Sequence, residues 1–405
     1  MSAGVDTRPP VRLRSLTWTV FVPMALYGTG AGAASPMYAL RALDLGASIG
    51  LAGLLVALSG LGMVVADLPA GRIVARIGER GAIGVGSVLG VIGVLCAVAA
   101  PNVWLLAVGL LLNGAAAAVW GLARQSYIVA VVPAADRGRA MSTLAGAHRL
   151  GYFCGPFLGA ALVHAMGPSG ALWLQLITTV LSGAAMVAIP SPEGADAGRS
   201  GHTLRSVVVE NIGVLGTLGS AALLMGAVRA SRVSVLPLWA AHIGLSASTT
   251  SLVFGIAGAV DVLMSYPAGV WLDRRGSRAT GVPAMVLFAI GFGVLPCTST
   301  MLGMGAVAVI LGLANGVSNG VIMTVGADAA PDGRRAEFLG AWRLTHDIGM
   351  FAGPILAGTI SAIALLSISS LALAAAATAG AAATYRWFPG QNPHTRPKPP
   401  LPEET

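Results

Sequence analysis

Residues 150–192 read LGYFCGPFLGAALVHAMGPSGALWLQLITTVLSGAAMVAIPSP and contain no aspartate, glutamate, lysine or arginine. A helix needs about 20 apolar residues to cross a bilayer. The stretch is too long for one span and right for two, with Gly-Pro-Ser-Gly at 167–170 as the turn between them. Residues 81–123, 279–327 and 348–385 repeat the pattern. Each is free of charge and has a turn signal near its middle: Ala-Pro-Asn at 100–102, Pro-Cys-Thr-Ser-Thr at 296–300, and a serine-rich patch around 361–370. These are four helical hairpins, and the remaining apolar runs bring the total to about twelve spans.

The composition points the same way. Of 405 residues, 55% are hydrophobic and 10% charged, with a mean hydropathy of +0.79. A soluble domain carries about a quarter charged residues, so too few polar groups are present to cover a soluble surface. This excludes a soluble enzyme, a secreted scaffold and a disordered protein. Backbone in lipid must be helical or form a closed barrel, and these runs lack barrel alternation. The expected fold is an all-α polytopic membrane protein, with 12 transmembrane helices in two six-helix halves. The spans are read at 15–38, 49–71, 81–100, 103–129, 140–164, 171–189, 209–236, 248–271, 279–297, 302–327, 337–361 and 365–386. The chain then divides into an N-terminus (1–14), a first half (15–189), a central loop (190–208), a second half (209–386) and a proline-rich, disordered tail (387–405).

Net charge is +8. The basic residues lie between the hairpins and at the ends: Arg8, Arg12 and Arg14; Arg72, Arg76 and Arg80; Arg137 and Arg139; Arg199 and Arg205; Arg274, Arg275 and Arg278; Arg334 and Arg335; Arg386, Arg396 and Lys398. Only Arg41, with Asp44 beside it, lies on the opposite side. The positive-inside rule places both termini in the cytoplasm of a bacterial-type plasma membrane. The arginines are explained by topology and by contact with lipid headgroups, not by nucleic acid. Cys96, Cys154 and Cys297 lie inside apolar runs without pair spacing, so no disulfide framework follows. No phosphate-cradling loop and no metal-ligand cluster occurs, so neither a metal nor another cofactor is implied.

The two halves repeat one another. Asp67-Leu-Pro-Ala-Gly71 aligns with Ser265-Tyr-Pro-Ala-Gly269, Asn113-Gly114 with Asn315-Gly316, and Pro36 with Pro237. Gly151-x3-Gly155-Pro156-x2-Gly159 aligns with Gly349-x3-Gly353-Pro354 followed by Gly358. Parallel duplication of this kind occurs in transporters that work by alternating access. On these residues the chain resembles the major facilitator superfamily over roughly residues 15–386. The family's loop motif is Gly-x3-Asp-Arg-x-Gly-Arg-Arg/Lys. The second copy here matches with Gly269, Asp273, Arg274, Gly276 and Arg278. The first keeps Gly71, Arg76, Gly78 and Arg80 but carries Ala75 at the aspartate position. In the family that aspartate helps hold the cytoplasmic gate against the eleventh helix; Asp67, two turns earlier, is the available substitute. The pattern Gly151, Gly155, Pro156 and Gly159 looks like a motif associated with proton-coupled exporters. Its other reading is close helix packing through small residues.

Charges within spans are costly and mark gating, coupling or binding by default. They are Asp67, Arg124, Arg149, Arg229, Arg232, Asp261, Arg343 and Asp347, with His148 and His346 next to two of them. Burial raises a carboxylate's proton affinity and a nearby arginine lowers it. Asp261, Asp67 and Asp347 are therefore the proton-coupling candidates, Asp261 first. Arg149, Arg343 and Arg124 are the gate and ion-pair candidates. The resemblance brings span 2 to span 11 and span 5 to span 8, which implies the pairs Asp67–Arg343 and Asp261–Arg149; pairing within each half is the alternative. Arg229 and Arg232 are three apart on one helix and can bind an anionic group, snorkel, or pair with Asp261. With Trp120, Tyr266 and Trp342 they are the substrate-cavity candidates. No nucleophile–base constellation appears, so an enzyme is not expected. The expected function is secondary active transport by a single chain, with proton-coupled export of a small molecule or drug as the leading form. The alternative is a proton-coupled or facilitative importer of a small metabolite on the same fold.

Overall fold

The computed structural model describes residues 16–133, 136–187, 209–331 and 335–390. The N-terminus 1–14, the central loop 190–208 and all but the first residues of the tail 387–405 lie outside the described residues, as do Arg199, Arg205 and Arg334.

Among the described residues twelve α-helices follow one another and no strand occurs. They are α1 (Val22–Ala34), α2 (Met37–Asp44), α3 (Ile49–Val98), α4 (Val103–Val131), α5 (Arg137–Met166), α6 (Pro168–Val187), α7 (Ile212–His242), α8 (Ala247–Val294), α9 (Met301–Ser318), α10 (Val321–Ala329), α11 (Arg335–Ile363) and α12 (Leu366–Trp387). Eight helical stretches among the described residues are long and apolar enough to cross a membrane. The fold is an all-α membrane architecture.

The turns form where the sequence signals them. Asn102 caps α4 by accepting from the amides of Trp104 and Leu105. Thr300 caps α9 through the Gly303 amide, and Gly167 ends α5 with φ +66°. Several boundaries differ from expectation. Residues 15–38 are not one helix: the chain turns at Ser35 and Pro36, and α2 carries on to Asp44. Spans 2 and 3 run without a loop as α3, interrupted only at Gly78 (φ 73°, ψ 173°). Spans 8 and 9 do the same in α8 at Gly276 (φ 84°, ψ 173°). Positive φ is strained for any residue with a Cβ, so glycine there lets the chain reverse within one residue. The expected span 302–327 is broken: α9 ends at Ser318, Asn319 is extended, and Gly320 takes φ +85° before α10 begins.

Two compact units emerge. The first comprises the described parts of Met1–Arg199 with Val233–Gly255 and Gly358–Ile363; the second those of Ser200–Arg232, Ile256–Ala357 and Ala364–Thr405. In lipid no hydrophobic force drives helices together, so close approach and interhelical hydrogen bonds must do it. In the first unit, a Cβ on Gly151 or Gly155 of α5 would strike the carbonyl oxygen of Ala25 or Thr29 on α1. In the second, Gly349 and Gly353 of α11 meet the carbonyls of Leu223 and Ala227 on α7 in the same way. The first unit also contains contacts of Gly53 with Gly358 and of Gly50 with Ala362. There Ser248 and Ser251 donate to the carbonyls of Ala160 (3.0 Å) and Pro156 (2.9 Å).

Candidate functional site

The second unit holds a closed polar ring. Asp261 on α8 accepts from Asn315 Nδ2 at 2.7 Å through Oδ2, and from Asn319 Nδ2 at 2.9 Å through Oδ1. Arg229 on α7 donates to the far side of the same two amides: Nε to Asn315 Oδ1 and an Nη to Asn319 Oδ1, both 3.0 Å. Ser265 closes the lower edge, accepting from Asn319 Nδ2 at 3.0 Å and donating to the Asp261 carbonyl at 2.8 Å. Both asparagines are buried. The arrangement has one direction. Guanidinium groups only donate and ionised carboxylates only accept, so both amides must point oxygen to Arg229 and nitrogen to Asp261. Arg229 and Asp261 are thus joined through two neutral amides.

Local structure explains how Asn319 reaches the ring. Four residues separate it from Asn315, so an unbroken helix would stack the two one turn apart. The Asn319 amide is still bonded to the Gly316 carbonyl and its φ is −65°, so the second side chain keeps that place one turn on; only after it, through an extended ψ of 132° and left-handed Gly320, does the helix break. Asn-Gly inside an apolar run is the sequence signal for this break. The charge-based reading passed over it and over Asn319, and met Asn315 only as part of the repeat, because amides carry no charge.

A second cluster lies on α11. Asp347 is 6% exposed; it accepts from Arg343 Nε at 3.4 Å and lies 3.2 Å from His346 Nδ1. On α7, Arg232 is 7% exposed, its Nε is buried without a hydrogen-bond partner, and no hydrogen bond or ion pair of its guanidinium occurs among the described residues. Arg229 and Arg232, neighbours in sequence, therefore have different surroundings.

In the first unit, Arg124 donates to the Met24 sulfur at 2.7 Å and lies 5.5 Å from the Trp120 ring centre. Trp120 is buried, donates to Ser87 Oγ at 3.1 Å, and packs 4.4 Å from Tyr27. Trp342 is also buried, bonded to the Ile322 carbonyl at 2.9 Å, whereas Tyr266 is exposed. Asp67 and Arg149 are half-buried. The loop residues Arg76, Gly78, Arg80, Asp273 and Arg274 are exposed, and a Cβ at Gly71 or Gly269 would meet open space. Arg278 holds the end of α12, donating to the Phe388 carbonyl at 2.9 Å. Where the second unit has its charged ring, the first has a neutral one. Tyr38 donates to Gln175 Oε1 (2.7 Å), Asn113 to Tyr38 (3.0 Å), and Gln175 to Asn113 (3.3 Å).

The sequence profile of the Major Facilitator Superfamily matches residues 20–354, and also 218–405. The chain belongs to the major facilitator superfamily. Among its curated relatives in that superfamily, an uncharacterized MFS-type transporter of Mycobacterium tuberculosis (strain CDC 1551 / Oshkosh) is 24% identical over 329 residues, which is 79% of this chain and 73% of that one. Solved structures of the superfamily fold match nearly the whole length. The inward-open xylose transporter XylE from E. coli superposes with a TM-score of 0.71 at 15% identity, covering 94% of this chain and 98% of that one. The nucleoside transporter NupG gives 0.71 at 15% identity, over 92% and 98%. A D-xylose-proton symporter gives 0.70 at 14% identity, over 94% and 99%. At such identities the likeness is one of fold. The chain is an integral membrane transporter of the superfamily.

Proposed function

We propose that this chain is a proton-coupled secondary transporter that moves a small molecule out of the cell by alternating access, with Asp261 as the group that takes up and releases the proton. The ring around Asp261 carries the reading. An ionised Asp261 can accept from Asn315 and Asn319 together. A proton on one of its oxygens turns that oxygen into a donor, and the amide facing it loses its acceptor. One asparagine must then rotate or move, and its other end is bonded to Arg229. Proton state at α8 is thereby tied to the positions of α7, α9 and Asn319. Asp347 beside Arg343 and His346 is the second coupling candidate.

Outward transport is supported by the Gly151, Gly155, Pro156 and Gly159 pattern, which resembles that of proton-coupled exporters. The solved symporter supports proton coupling and favours inward transport as the second reading. Both termini are assigned to the cytoplasm of a bacterial-type plasma membrane, on the basic inter-hairpin loops. The test is proton movement in energised inside-out vesicles across a panel of drugs and small metabolites. We expect proton release with the native chain and none with Asp261→Asn. Release that persists in Asp261→Asn removes Asp261 from coupling. Accumulation of substrate in whole cells, driven by the same gradient, replaces export with import.

A further inference from the structure

We infer that Arg232 is the receptor for a carboxylate on the transported substrate, so that the substrate is a small organic monoanion. The inference rests on the transporter reading but not on its proton coupling.

The sequence gives Arg229 and Arg232 equal standing; the structure separates them. Arg229 is matched by two amide oxygens and, through them, by the carboxylate of Asp261. Arg232 is the more buried of the two, at 7% exposure, yet its guanidinium has no hydrogen bond or ion pair among the described residues and its Nε is buried and unmet. An isolated buried charge costs several kcal/mol, and a chain that keeps one gains something by it.

Its direction is fixed by the helix. Successive residues turn by about 100°. Leu223, Gly226, Ala227 and Ser231 face α11, where they meet Gly349, His346 and Gly353. Arg232 projects from the opposite side of α7, about 60° round from Arg229. It lies about 15 Å from the C-terminal end of α7, counting ten residues to His242. The cation is therefore not part of the packing between α7 and α11. A guanidinium offers a planar fork that a carboxylate meets with two parallel bonds. One unmatched positive charge calls for one negative charge, which selects a monocarboxylate over a dianion.

The test uses the purified full-length protein in detergent, without a gradient. Binding is read from thermal-midpoint shifts with benzoate, salicylate, phenylacetate and octanoate, each against its carboxamide. With the native chain at least one acid is expected to bind about tenfold or more tightly than its amide. Arg232→Met abolishes the preference, and Arg232→Lys, which keeps charge but loses the fork, leaves part of it. Without any ligand, Arg232→Met is expected to raise the midpoint by about 2 °C or more, because an unmatched charge is removed. The assignment is overturned if no acid outbinds its amide, if Arg232→Met keeps the preference, or if Arg232→Met lowers the ligand-free midpoint, as a structural arginine would. A failed proton assay with the acid preference intact defeats coupling at Asp261 and leaves this assignment standing. Proton coupling without the preference does the reverse.

Discussion

Asn315 and Asn319 are the two residues on which the charged ring depends, and each serves both ends of it. Replacing either leaves an unmet acceptor on Asp261 and an unmet donor on Arg229. Each buried group so orphaned costs about 1–3 kcal/mol. Asn315→Leu, close in volume, is expected to lower the unfolding midpoint in detergent and to abolish substrate-driven proton release. Normal release from that variant would show that the ring only braces the second unit. The charges were legible in the sequence because an arginine or aspartate stands out in an apolar run. What they bond to was not legible, since a spacing of three or four places groups on one helix face but says nothing about the neighbouring helix. Hence Arg229 and Arg232 read alike and are not alike.

The helices teach a related lesson about small residues. Gly151 and Gly155 on α5 and Gly349 and Gly353 on α11 lie against main-chain carbonyls of α1 and α7, at matching positions of the duplication. Alanine at Gly151 or Gly349 has to push two helices apart. We expect a loss of about 1–3 kcal/mol, read as a lower thermal midpoint. Alanine at Gly71 or Gly269, where a Cβ has room, is expected to leave stability unchanged or raise it by up to about 1 kcal/mol. Equal effects at all four sites would refute the packing argument. The hairpin turns were readable from Asn102, Gly167 and Thr300, because caps and left-handed residues have side-chain signatures. The divided first span was not, because hydropathy continues unchanged through Ser35 and Pro36. The join at Gly78 was masked for a different reason: charged residues around it look like a loop, yet the helix persists to within one residue of the turn.

Across the whole molecule, duplication preserved the frame and let the chemistry diverge. Asn113 and Asn315 occupy the same place in the repeat. One belongs to a neutral ring with Tyr38 and Gln175, the other to the ring with Asp261 and Arg229. Asn113→Leu is therefore expected to cost stability while leaving the pH dependence of transport intact, whereas Asn315→Leu changes both. A pH profile measured for the two variants side by side separates them. The twelve-span plan was legible because a bilayer imposes one length and one polarity on every span. The asymmetry between halves was legible only in the charges of Asp261 and Arg229; the amides that join them and the break at one glycine were not. That glycine has a further consequence. Where α9 stops and α10 restarts at Gly320, the first amides of the new helix have no carbonyl a turn behind them. Hydrocarbon cannot satisfy them, at a cost of several kcal/mol each. The unbroken α4 of the other half has no such point. Backbone deuterium uptake should accordingly be faster at residues 320–323 than at 104–128. Faster uptake there places water at the main chain of the second half, within a few residues of Asp261's ring.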